Sequence, residues 1–145
     1  MKVLFLDIDG VVNKKENFNP TAKMGLYPID SYCAFLVGRI KLATGCEVVL
    51  SSSWRYHPEG VKNVSERIVE LLDVTPMLEH GIRGDEVNAW LEAHPECTDY
   101  AILDDDIDFH KDQHLFKTTF EHGLTDEIAN RVIAYFNNDP ESVAK

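Results

Sequence analysis

Residues 3–12 read VLFLDIDGVV, and the fold is predicted outward from this stretch. The apolar, β-forming residues before Asp7 predict a strand that is buried on both faces of a parallel sheet. Two carboxylates, Asp7 and Asp9, follow that strand, and Gly10 comes directly after them. Such an ending is either a solvated turn or a catalytic pair at the carboxyl end of the sheet. The other strand endings decide between these alternatives.

The rest of the chain alternates strand-like and helix-like segments. Further strands are predicted at 47–51, 74–78, 100–103 and 115–118, with Pro76 confining the 74–78 strand to an edge or shortening it. Helices are predicted from residue 30 or 31 to 43, at 59–72, after Gly84-Asp85 to 93, and from 125 to 136. Asp30 or Ser31 is predicted to cap the first helix, Gly45 to stop it, and Thr125 to cap the last helix. This order predicts an α/β fold. We expect one doubly wound, Rossmann-like domain over residues 1–145, with a central, mainly parallel five-stranded sheet and helices on both faces. Residues 13–29 would form a flap or a minimal cap.

The composition limits the function classes. A 145-residue chain with 44% hydrophobic and 27% charged residues is typical of a soluble globular protein. Its net charge of -11 argues against strong non-specific binding to nucleic acid or anionic membranes. It is compatible with a phosphorylated substrate, because a bound metal reverses the field inside one pocket. Three scattered cysteines and the lack of a signal-like or membrane-spanning run predict a cytoplasmic protein, either a monomer or a small homo-oligomer.

Three of the predicted strands end in polar side chains. These are Asp7 and Asp9 after the first strand, Ser51, Ser52 and Ser53 after the second, and Asp104 and Asp105 after the strand at 100–103. Ligands of open α/β sheets bind outside the carboxyl ends of the strands. We therefore expect these groups at one edge of the sheet, which favours a functional site over a solvated turn.

These residue types permit phosphoryl chemistry. Clustered carboxylates without paired His or Cys favour Mg²⁺, held here by Asp7 and Asp104. Asp7 is placed to attack phosphorus, and Asp9 to protonate the leaving oxygen and then activate water. Gly10 permits a tight turn beneath the phosphate, and a serine hydroxyl would hydrogen-bond the transferring group.

The same segments resemble the haloacid dehalogenase (HAD) superfamily of phosphohydrolases. DIDGVV resembles its first motif, D-x-D-G-[VT], VVLSSSW resembles its second, and AILDDD resembles its fourth. The resemblance implies that Asp7 is the nucleophile and a metal ligand, and that Asp9 is the acid/base, with its backbone carbonyl on the metal. It also implies that Asp104 is a direct metal ligand, with Asp105 either supporting it or binding the metal through water. Ser52 is our choice for the phosphate-binding hydroxyl, and Ser51 and Ser53 remain alternatives.

The third motif of the superfamily is a single Lys or Arg. Arg83, in GIRGDEV, is our choice, Lys62 is the alternative, and Arg55 is a further candidate for contacting the phosphate. The competing interpretation of Arg83 is a surface residue paired with Asp85 or Glu86.

A narrower likeness bears on the substrate. SSSWR, IRGDEVNAWL, AILDDDIDF and GLT resemble small phage and bacterial HAD-type domains, including the HAD-type domain of RNA repair proteins. The short segment between Gly10 and the second strand leaves no room for a large cap, and an open site suits a bulky substrate. Phe18, Tyr27 and Tyr32 are candidates for stacking a base, but packing among themselves is favoured.

We therefore expect a Mg²⁺-dependent phosphomonoesterase that works through an aspartyl-phosphate and acts on nucleotides or nucleic-acid ends, 3′-phosphates among them. The first alternative is a phosphatase of small metabolites or phosphoproteins. The second is a non-catalytic phosphate-binding module, against which the intact Asp7 and Asp9 argue.

Overall fold

Five parallel strands form the centre of the computed structural model, which describes residues 1–18 and 26–138. Their order across the sheet is β3-β2-β1-β4-β5. The strands are β1 (Lys2–Leu6), β2 (Glu47–Leu50), β3 (Asp73–Val74), β4 (Asp99–Asp104) and β5 (Leu115–Lys117). The chain runs outward from β1 to β3 and then returns to place β4 on the other side of β1. The topological switch point, where open α/β sheets bind ligands, therefore lies beyond the carboxyl ends of β1 and β4.

Helices cover both faces of this sheet, as the sequence predicts. They are α1 (Ser31–Thr44), α2 (Pro58–Arg67), α3 (Arg83–Ala93) and α4 (Asp126–Phe136). The core on one face joins α1, α2 and α4 to the sheet, and the core on the other joins α3 to it through Val87 and Trp90. Successive strand residues alternate between the two faces, which is why a continuous apolar run such as VLFL is required here.

The predicted helix caps are confirmed. The Asp30 side chain accepts hydrogen bonds from the backbone N–H groups of Tyr32 and Cys33, both at 3.0 Å, at the start of α1. Gly45 ends α1 with a φ of 71°, a left-handed conformation that glycine adopts without steric cost. Thr125 caps α4 by accepting from the N–H of Ile128.

Two predicted elements were too long. Helix α2 ends at Arg67 instead of residue 72, and β3 comprises Asp73–Val74 instead of residues 74–78. Ile68, Val69 and Leu71 keep their contact with the core. Leu72 is 48% exposed and donates its N–H to the carbonyl of Val48 at 2.8 Å just before β3. A continued helix would carry Leu72 away from that partner. Pro76 has no N–H for a longer strand.

The predicted flap, residues 13–29, is described in part. It contains a short 3-10 helix at Lys15–Asn17, whereas residues 19–25 of the flap, like residues 139–145 of the predicted domain, lie outside the described residues. The Phe18 ring lies 4.2 Å from the Tyr27 ring, so these two aromatics pack on each other. Tyr32 belongs to α1, where its hydroxyl donates to a carboxylate oxygen of Asp126 at 2.7 Å. Among the residues described, no helix has both the length and the apolar character that crossing a membrane requires.

Candidate active site

Four strands each bring a polar residue to the same level at the carboxyl edge of the sheet. Leu6 pairs in register with the last residue of β2 and with the residue before Asp104, and β2 pairs in the same way with β3. Asp7, Ser51, Thr75 and Asp104 therefore lie side by side, and all four are buried. Because side chains alternate along a strand, this row lies on the face that α3 covers. The predicted meeting of the strand endings is confirmed.

Three carboxylates of this edge form a compact cluster. One oxygen from each of Asp7, Asp104 and Asp105 lies within 4.8 Å of the others. Burial, followed by the negative charge of Asp104, raises the pKa of Asp7 well above its usual value. Burial and the same charge also raise the pKa of Asp105. A cation between the carboxylates would relieve this repulsion, and a site built only from oxygen ligands fits Mg²⁺.

Among the described residues, Arg83 supplies the positive charge that pairs with this carboxylate cluster. It is the first residue of α3, and its Nη1 lies 2.9 Å from Oδ2 of Asp104 and 3.2 Å from Oδ1 of Asp7. Burial disfavours the charged guanidinium, but the two carboxylates outweigh burial and raise the pKa of Arg83 further. The amino terminus of α3 adds a favourable dipole for negative groups at this position.

The alternatives for the third-motif cation lie elsewhere. Asp85 accepts a hydrogen bond from the ring of His110, and Glu86 pairs with Arg55. Neither carboxylate is therefore the partner of Arg83. Lys62 is exposed on α2 and does not line the site cavity.

Asp9 is turned away from the carboxylate cluster and held by two neutral donors. Nε1 of Trp54 donates to its two oxygens at 3.2 and 3.3 Å, and Nδ2 of Asn13 donates to Oδ1 at 2.9 Å. Burial raises the pKa of Asp9 although these two hydrogen bonds favour its charged form. A raised pKa suits a carboxyl group that must carry a proton near neutral pH. Asn13 was not predicted as a site residue, although its position four residues after Asp9 in the same turn was a usable signal.

Gly10 is required by the packing around it. Its φ is +82°, and a Cβ at this position would lie 2.2 Å from Oδ2 of Asp105. Its N–H donates to Oδ1 of Asn13, and its carbonyl accepts from the buried hydroxyl of Thr118 at 2.6 Å. Thr118 was not predicted, because its place after the edge strand β5 gives no motif. The turn beneath the site is thus held from both sides.

The three candidate serines have different surroundings. The hydroxyl of Ser51 is buried in the row beside Asp7 and has no hydrogen-bond partner in the described residues. The Ser52 oxygen accepts from the N–H of Trp54 at 3.1 Å, which leaves its hydroxyl hydrogen free to donate. Ser53 lines the site cavity. Each keeps a hydroxyl near the edge, so the choice of Ser52 stays a prediction.

Arg55 does not reach the cavity. Its Nη1 donates to the carbonyls of Ser51 and Ser52 at 2.7 and 2.9 Å, and its Nη2 lies 2.9 Å from Oε1 of Glu86. Arg55 therefore connects the backbone of Ser51 and Ser52, here called the serine loop, to Glu86 of α3 on the side away from the cavity. The sequence had suggested a phosphate-binding role for Arg55 instead.

A cavity of about 290 Å³ opens above these groups. Acidic side chains, one arginine, one serine and two phenylalanines line it. They are Asp7, Asp9, Asp104, Asp105, Asp106, Arg83, Ser53, Phe18 and Phe120.

Comparisons with known proteins complete the description of the site. Neither the curated proteins nor the solved structures contain a significant match. A family model described as the HAD domain in Swiss Army Knife RNA repair proteins matches residues 3–129, from β1 into α4. The match includes every site residue discussed above and supports a HAD-type phosphatase in general. The chain therefore belongs to this family of HAD domains.

Proposed function

We propose that this protein is a Mg²⁺-dependent phosphomonoesterase that acts on nucleotides or nucleic-acid ends through an aspartyl-phosphate intermediate. The observation that carries the proposal is the separation of the two aspartates of the first motif. Asp7 lies among carboxylates and Arg83, whereas Asp9 is held apart by Trp54 and Asn13.

The donor set fits Mg²⁺. Asp7, Asp104 and Asp105 offer three clustered oxygens, and their mutual repulsion is offset by one guanidinium in the described structure. When bound there, Mg²⁺ would supply positive charge to the phosphate oxygens and reduce their repulsion by the Asp7 carboxylate.

The residues support a two-step transfer. In the first step an oxygen of Asp7 forms a bond to phosphorus as the bond to the leaving oxygen breaks, and Asp9 gives its proton to that oxygen. In the second step Asp9 takes a proton from water, the water oxygen bonds to phosphorus, and the bond to Asp7 breaks. Arg83 and a serine hydroxyl would hydrogen-bond the remaining phosphoryl oxygens in both steps.

Access to the site supports a bulky substrate. Among the described residues between β1 and β2 there is one short 3-10 helix and α1, and α1 packs on the core. These described residues form no cap domain that a nucleotide or a strand end would have to displace to reach the cavity. The matched family is named for RNA repair proteins, and this favours nucleic-acid ends over sugar phosphates.

The test is a phosphate-release screen over nucleotides, 3′- and 5′-phosphorylated oligonucleotides, sugar phosphates, phosphopeptides and an aryl phosphate, with and without Mg²⁺. We expect Mg²⁺-dependent release, fastest from a nucleotide or an oligonucleotide end. Asp7→Asn should abolish release, and Asp9→Asn should lower kcat by about 10²- to 10⁴-fold while Mg²⁺ still binds.

Glu92→Gln, an exposed substitution on the helix that carries Arg83, is the matched control and should retain full activity. Release by Asp7→Asn at the wild-type rate would exclude the covalent mechanism. Release from sugar phosphates or phosphopeptides alone would exclude nucleotides and nucleic-acid ends as the substrate class. A lack of release from every ester tested would exclude phosphomonoesterase activity.

A further inference from the structure

A second cavity of about 440 Å³ opens beside the site cavity. Asp105 and Phe120 line both cavities, which therefore adjoin at these two residues. The volume falls within the range of about 300–1,000 Å³ that is usual for small-molecule sites. A group attached to a phosphate at Asp7 would therefore extend past Phe120 into the second cavity.

The boundary between the cavities is aromatic. The Phe120 side chain is 42% exposed, although it lies in a polar turn. Its ring meets the edge of Phe18 at a centroid distance of 4.6 Å, and Phe18 lines the first cavity. An exposed ring at this point offers a flat apolar surface next to the phosphate site.

The turn that carries Phe120 is hydrogen-bonded to the segment 10–15 that follows β1, here called the catalytic loop. Thr119 and Gly123 close the turn, with the Gly123 N–H donating to the Thr119 carbonyl at 2.7 Å. The Phe120 carbonyl accepts from the N–H of Lys15 at 2.9 Å. Just before the turn, Thr118 donates to the carbonyl of Gly10. The ring is thus placed relative to the catalytic aspartates before any ligand binds, which reduces the entropy lost on binding.

The polar lining of the second cavity is mixed. Lys117 and Thr119 provide donors, Glu121 provides an acceptor, and His122 can do either. A second phosphate would meet the carboxylates of Glu121 and Asp105 there, and this disfavours a polyphosphate. A nucleobase has a flat face for an aromatic ring and both donors and acceptors along its edges.

We infer that the second cavity is the subsite for the nucleobase of the nucleotide whose phosphate lies at Asp7, with Phe120 as its stacking surface. This inference rests on the proposed function and adds the residue that distinguishes a nucleotide from other phosphate esters.

The first experiment compares kcat/KM for two oligonucleotides that differ only at the phosphorylated terminal unit, at whichever end is hydrolysed. One carries a nucleotide there and the other a tetrahydrofuran abasic analogue. We expect a preference of about 5- to 150-fold for the nucleotide, the size of one base–aromatic stack. Phe120→Leu keeps the contact with Phe18 but removes the flat ring, and it should reduce this preference at least fivefold. Phe35→Leu, a 60% exposed ring on α1 outside both cavities, is the control and should leave the preference intact.

The second experiment does not depend on phosphatase activity. Adenosine and ribose are titrated separately into the wild-type protein, and the ring resonances of Phe120 and His122 are followed by NMR. Adenosine should shift both, ribose should shift neither, and the His122 shift should be lost in Phe120→Leu.

Equal kcat/KM for the two oligonucleotides, or an adenosine titration without shifts at Phe120, would overturn the subsite. A protein that shows the adenosine shifts but hydrolyses no phosphate ester would keep the subsite and refute the proposed function, so the two failures are distinguishable.

Discussion

Replacing Arg55 by Met tests whether this arginine supports the site or binds the phosphate. The Arg55 side chain is 3% exposed and that of Glu86 is 11% exposed. Nη2 of Arg55 lies 2.9 Å from Oε1 of Glu86, and Nη1 donates to the carbonyls of Ser51 and Ser52. In the variant, the Glu86 carboxylate would stay buried with the N–H of Leu78 as its remaining hydrogen-bond donor.

The expected loss is large. Removing one partner of a buried ion pair costs about 3–5 kcal/mol, because the other charge is left uncompensated. The free energy of unfolding of a domain of this size is about 5–15 kcal/mol, so Arg55→Met would lose a large share of it. The corresponding fall in melting temperature is about 10–20 °C.

The assay is urea unfolding of four proteins: the wild type, Arg55→Met, Glu86→Gln and the double variant. Gln still accepts from the N–H of Leu78 but carries no charge, so the double variant should recover about 1–3 kcal/mol relative to the sum of the single losses. Arg67→Met, an exposed arginine at the end of α2, is the matched control and should lose less than about 0.5 kcal/mol.

Kinetics with an aryl phosphate at low temperature separate the two roles of Arg55. If Arg55 supports the serine loop through Glu86, Arg55→Met lowers the free energy of unfolding. If the free energy of unfolding is unchanged and KM for the aryl phosphate rises instead, Arg55 binds the phosphate and the supporting role is refuted.

Three further outcomes are expected. Mg²⁺ should raise the melting temperature of the wild type by binding the folded state, and Asp104→Asn should lose this rise in a thermal scan. Gly10→Ala should weaken Mg²⁺ binding measured by calorimetry, because the new Cβ displaces the Asp105 carboxylate; wild-type affinity would contradict this. Asp30→Ala should lose about 1 kcal/mol at pH 7 in urea unfolding. Burial alone would raise the pKa of Asp30, but the N–H of Cys33 and a nearby lysine lower it. Its stabilisation is therefore complete above the unfolded-state pKa and declines as pH falls through the folded-state pKa, so the difference from Asp30→Ala should shrink in acid. A constant difference would contradict this.

Much of the site followed from the sequence because its residues come directly after apolar strands. The β1 run ends at Asp7, and the strand at β4 ends at Asp104, so strand periodicity alone places both at the carboxyl edge. The end of α1 at Gly45 and the capping roles of Asp30 and Thr125 could also be predicted from the sequence, since each residue acts on backbone groups a few residues away.

Features that depend on packing between distant segments could not be predicted from the sequence. The end of α2 at Arg67 follows from the need of Leu72 to reach Val48 across the sheet. Phe120 stands beside the catalytic loop because Thr118 bonds to the carbonyl of Gly10, more than one hundred residues earlier in the chain.

The cations show the division most clearly. An acidic edge on a parallel sheet, and the need for positive charge there, could be predicted from the sequence because local periodicity and the residues after each strand carry that information. The resemblance made Arg83 the choice for the third-motif cation, with Lys62 as the alternative and Arg55 as a further candidate for contacting the phosphate. Where these side chains lie depends on tertiary packing: α3 places its amino terminus over the switch point, which brings Arg83 to Asp7 and Asp104. Arg55 pairs with Glu86, and Lys62 is exposed on α2.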